Sequence, residues 1–246
     1  RDSAGNVVRQ IEGPVSPGFH RVAWDLRFPQ STPWSPAMEE PQYINFPGPL
    51  AAPGAYSVSI AKRVNGQLTD LGQAQDFAAV SVVDSTLEGA APDAMMAFNL
   101  RLDDLRRQVR GAGAATDAAL TEVGAIKSTL LRSSAPAALR DEAHRIEMAL
   151  KSLQETMNGN DRRDLYGDPG PVSINGRIMP ALMGTYRSTY GPTPTHLASV
   201  EAAEAMFEAV KADMGQLLDS DLPALRAQLN EHGVPWTPGR GVPARD

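Results

Sequence analysis

The residues best suited to chemistry lie between positions 158 and 168. Asn158, Gly159, Asn160 and Asp161 run together, and Asp164 and Asp168 follow closely. Side-chain oxygens at such short spacing are the donors that hold Ca²⁺. The stretch lacks the full EF-hand pattern and its bidentate Glu, and Arg162 and Arg163 would oppose a cation. Turn formation accounts for the same Asn, Asp and Gly residues, so a turn is expected and no metal or other cofactor is assigned. The histidines, His20, His144, His196 and His232, are scattered, with no pair at metal-ligand spacing. Each reads as a surface or edge residue. Glu201 and Glu204 would belong to a carboxylate metal site only if other helices answered with Glu-x-x-His. None does, and the two read as solvated charges.

No nucleophile elbow, P-loop, dinucleotide-binding glycine pattern or zinc-protease helix occurs. The absence of cysteine excludes thiolate ligands, disulfides and cysteine nucleophiles. No catalytic residue is assigned. Five aromatics remain. Trp24 and Tyr56 have the phase of core residues in strands. Trp34, Tyr43 and Phe46 lie in a long Pro-rich loop over 28–53 and could stack on a sugar as ligand contacts.

The elements that would carry these residues change character near residue 90. Before it, Pro, Gly, Val and aromatics dominate; after it, Ala, Leu, Met and charged residues do. Alternation predicts strands over 6–10, 18–26, 54–62 and 77–83. Asn65-Gly66 is a hairpin turn signal, and 2–5 reads as another turn. A turn there wants a strand before it, and Arg1-Asp2-Ser3 reads as the interior of something longer, so the first strand is expected to lie upstream. The expectation is an Ig-like antiparallel β-sandwich over 1–86.

From Met95, apolar or small residues recur at three- and four-residue steps: Phe98, Leu102, Leu105, Val109, Ala112, Thr116, Ala119, Val123, Ile126 and Leu130. This is a helical seam. Gly111 and Gly113 each weaken it by roughly 1 kcal/mol relative to Ala, but the register continues through them. A second seam runs Leu139, Ala143, Ile146, Leu150, Leu153, Met157, opened by Pro136. A third helix over 174–190 contains Pro180. A fourth seam runs Val200, Ala203, Phe207, Val210, Met214, Leu217, with Thr195 as N-cap. A last helix over 221–231 is capped by Asp221 and closed by Gly233. Together these predict an antiparallel up-down helical bundle over 90–233, a flexible tail over 234–246, and a two-domain α+β fold.

The net charge of −6 over 246 residues offers no bulk attraction to nucleic acid or anionic membranes. The densest basic stretch, 101–110, is interleaved with Asp103 and Asp104. No stretch approaches the roughly 20 apolar residues that cross a bilayer. Neither a nucleic-acid partner nor a membrane span is expected.

The run Gly18-Phe19-His20-Arg21-Val22-Ala23-Trp24-Asp25-Leu26-Arg27 resembles the Ig-like domain near the C-terminus of bacterial secreted sortilin-like β-propeller proteins. Asp2–Arg9 before it and Gly48–Tyr56 after it share the resemblance. Members of that family carry the label "glycosyl hydrolase, BNR repeat". Their helical segment contains stretches like Val172-Ser173-Ile174-Asn175-Gly176-Arg177 and Gly191-Pro192-Thr193-Pro194-Thr195, and both are present. The resemblance covers most of the chain. It implies a non-catalytic structural or interaction module, secreted or periplasmic, with the β-propeller of the same parent chain as partner and other proteins or carbohydrate as further partners. Two rival readings differ in kind. One is a carbohydrate-binding accessory module of a glycoside hydrolase, using Trp34, Tyr43 and Phe46. In the other, Arg27 or Asp25 contributes to a hydrolase site on the propeller.

Overall fold

The computed structural model describes residues 1–33, 46–82, 88–168 and 170–241. It is about 52% helical, with four short strands in two two-stranded sheets. No sandwich forms among the described residues, and this corrects the expected Ig-like domain. The chain divides into two compact units, Arg1–Asp104 with Leu182–Thr193, and Leu105–Ala181 with Pro194–Asp246.

In the first unit, β1 (Gly54–Val58) pairs antiparallel with β4 (Gln75–Ala79), which places Tyr56 opposite Phe77. Strands β2 (Ala61–Val64) and β3 (Gln67–Asp70) form the hairpin that Asn65-Gly66 predicts. Both turn residues have positive φ, 47° and 82°, as a type I′ turn requires. Asp2 builds the expected first turn. Its carboxylate accepts the N–H groups of Ala4 at 3.0 Å and Asn6 at 2.8 Å.

The strands expected over 6–10 and 18–26 do not form. Only isolated bridges appear there, Asp2 with Tyr56 and Arg27 with Leu50. Two local causes are visible. Leu26 has φ of 58°, which no extended run tolerates, and Pro14 and Pro17 remove donors just upstream. Of the face expected to point inward, Val22 and Leu26 are exposed and Trp24 is half-buried. The core here is small: Val8, Ala51 and Tyr56, with Trp24, Phe28 and Ala79 against them. Trp24 meets Tyr56 edge-on at 5.4 Å, and its indole N–H donates to the Arg27 carbonyl at 2.9 Å.

Helix α1 (Pro92–Leu130) is continuous through Gly111 and Gly113, and all eleven seam residues from Met95 to Leu130 are buried. Helix α2 (Ala137–Asn158) buries its six seam residues. It runs antiparallel to α1: Gln154 donates to Asp117 at 2.9 Å, and farther along Lys127 pairs with Glu147. Then come α3 (Asp161–Leu165) and α4 (Ile174–Tyr186), the latter ending before the expected residue 190. Helix α5 (Pro194–Gln216) begins at Pro194, so Thr195 lies inside its first turn rather than at the N-cap.

The expected break before residue 221 is absent. A π-helical turn (Leu217–Asp221) carries α5 into α6 (Leu222–Glu231), with the Leu222 N–H bonded to the Leu217 carbonyl. The buried residues explain it. Their steps run three or four through Val210, Met214 and Leu217, then five to Leu222, then three and four to Leu225 and Leu229. A plain α-helix would rotate Leu222 off this face; one π-turn absorbs the extra residue. Asp221 makes no cap. Its carboxylate accepts from Arg145 at 2.6 Å and Gln216 at 2.7 Å.

Candidate functional site

The loop read as a possible Ca²⁺ site is spent on structure. Asn160 caps α3, accepting from the Arg162 N–H at 3.2 Å. Asn158 accepts from the Asn175 amide at 2.8 Å, and Asp168 pairs with Arg163 at 3.1 Å. The side chain of Asp164 lies outside the described residues. No group of three His, Asp or Glu side chains that could hold a metal ion occurs among the described residues. His20 hydrogen-bonds the Ser16 carbonyl at 2.7 Å, His144 lies 3.5 Å from Glu147, and His232 ends α6.

Of the three aromatics proposed as ligand contacts, Trp34 and Tyr43 lie outside the described residues. Phe46 is half-buried and meets Tyr186 edge-on at 5.5 Å. Trp24 and Tyr56 sit in the small core. Arg27 and Asp25 are turned to local use: Asp25 accepts the Arg27 N–H at 3.1 Å, and the Arg27 guanidinium donates to the Gly48 carbonyl at 3.0 Å.

The helical unit holds a charged centre that no sequence motif announces. Glu122 is buried, and its carboxylate takes two hydrogen bonds from Arg226, at 2.6 and 2.7 Å. This planar fork is the strong form of an ion pair, and it raises the Arg226 pKa. Residues 234–240 fold back over it, which corrects the flexible tail expected there; residues 242–246 lie outside the described ones. Val234 and Thr237 are buried. Arg240 donates to the Val234 and Pro235 carbonyls at 3.1 and 2.8 Å and also to Asn230. Gly239, with φ of 95°, lies so close to Glu122 that a Cβ would collide with the carboxylate. The only signal in the sequence was the Gly-rich ending itself, which composition alone reads as frayed.

A second network ties α2 to α1. Glu147 accepts from Lys151 at 2.8 Å and pairs with Lys127. Hydrogen bonds from Lys127 and Lys151 hold its carboxyl down at about 2.

One open groove lies wholly in the helical unit, between α1 and α5. Its volume is about 460 Å³. Phe207, Met214 and Leu218 supply apolar lining, Arg107 and Lys211 cations, and Asp219 an anion. Lys211 stands over the Phe207 ring at 5.6 Å and pairs with Glu208 at 2.6 Å.

No helix among the described residues is long and apolar enough to cross a membrane. No protein-family model, curated protein or solved structure significantly matches the chain.

Proposed function

We propose that the chain is a non-catalytic structural and interaction module of a secreted or periplasmic sortilin-like β-propeller protein, and that its first unit docks on the propeller. The observation that supports this is the apolar surface of that unit. Val15, Phe19 and Val82 are almost fully exposed, at 101%, 109% and 94%, and Ile60, Val64 and Leu68 are more than half exposed. Isolated exposed apolar residues are ordinary, but a concentration of them marks an interaction surface. The two sheets have only two strands each, and strand pairs of that size need further packing to be stable. A propeller surface supplies such packing.

The test is to express the chain and a sortilin-like β-propeller separately and mix them on a sizing column with light scattering. A one-to-one complex that Phe19→Asp disrupts is expected. A chain that stays monomeric and does not co-elute with the propeller overturns the proposal.

A further inference from the structure

We propose that the groove between α1 and α5 binds a small amphipathic anion, an apolar chain or ring bearing one carboxylate. Its volume of about 460 Å³ falls within the roughly 300–1,000 Å³ typical of small-molecule sites.

Two independent features indicate that the space is kept open. Gly111 and Gly215 line it, one from each helix. Neither has a positive φ. A Cβ at Gly111 would meet nothing within 4 Å, and one at Gly215 only the Asp219 carboxylate at 3.9 Å. Glycine is the poorest helix former after proline. Both positions therefore cost helix stability that neither backbone geometry nor packing demands, and the missing side chains leave the groove. The second feature is the π-turn, which brings Leu218 and Asp219 into the lining; such turns recur at functional sites.

Charge selects the ligand. Two cations, Arg107 and Lys211, face one acid, Asp219. Lys211 is positioned at the rim by the Phe207 ring and by Glu208. A carboxylate meets the cations while an apolar body covers Phe207 and Met214.

The experiment titrates the full ¹⁵N-labelled chain with dodecanoate below its micelle concentration, and with dodecyltrimethylammonium as a cation of the same chain length. Dodecanoate is expected to move the amide signals of Gly111 and Gly215, with a Kd below about 1 mM, and the cation to bind at least about ten-fold more weakly. Gly215→Leu fills the groove and is expected to weaken dodecanoate by at least about ten-fold while the thermal midpoint holds or rises. Should that variant disturb folding, Gly111→Leu on the opposite wall decides the same question. The proposal is overturned if dodecanoate moves only first-unit signals, if the two amphiphiles bind equally, or if filling the groove leaves binding unchanged.

Discussion

In the helical unit Val123, Ile146 and Leu150 are wholly withdrawn from solvent, whereas in the first unit Val15, Phe19 and Val82 stand almost fully in it. Both regions are rich in apolar residues, so composition does not explain the difference. A helix satisfies its own backbone and needs only one stripe covered. A strand needs a neighbour along each edge and a packed face. Antiparallel α1 and α2, joined by a short connection, cover one another's stripes. The short strands β1 to β4 find one partner each and leave most apolar residues uncovered. One region closes by itself; the other is shaped to be closed by something else.

Several measurements would break or refine this contrast. Ile146→Ala, at a position with no exposure, is expected to cost about 3–4 kcal/mol, read as a drop in the helical thermal midpoint. An equal drop from Val8→Ala in the first unit would erase the contrast. Glu122→Ala leaves Arg226 without its fork, and Arg226 is about one-third exposed. The loss is therefore expected below that of a fully buried pair, at about 2 kcal/mol in denaturant unfolding.

Gly239→Ala forces a side chain into left-handed backbone against Glu122 and is expected to cost about 1–2 kcal/mol. Cleavage by a protease within 234–241 should rise with it; unchanged protection would show that the strap is not held at this point.

Acid stability probes Glu147. Its folded pKa of about 2 lies below its ordinary 4.5. The contribution of its ion pairs is therefore complete above about pH 4.5 and is lost as the pH falls toward 2. Glu147→Gln should flatten that part of a stability-versus-pH curve, and an unchanged slope would assign it to other carboxylates. Phe19→Asp should leave unfolding within about 0.5 kcal/mol of the parent while reducing self-association. A large destabilisation would mean that Phe19 is covered in solution.

Much of the helical unit was legible because a helix announces itself locally. The spacing from Met95 to Leu130 and from Leu139 to Met157 named the buried residues directly. The Asn65-Gly66 hairpin and the Asp2 turn were legible for the same reason, since each depends on residues in direct succession. The π-turn was also written in the sequence, as the five-residue step from Leu217 to Leu222, but Asp221 and Pro223 there mimic a helix start. The Glu122–Arg226 fork was hidden because its partners are far apart along the chain. The groove was hidden because Gly111 and Gly215 mean little until they face the same space.

By itself the sequence determined where the helices run, which face of each is buried, and where the tight turns fall, because these follow from periodicity and from residues that tolerate particular dihedral angles. Only the tertiary structure decided that residues 6–26 pair with almost nothing, that the Gly-rich ending straps over Glu122, and that two helical glycines open a groove. Strand pairing, docking of a tail and the shape of a cleft depend on groups distant in the chain, and no local pattern encodes which distant groups will meet.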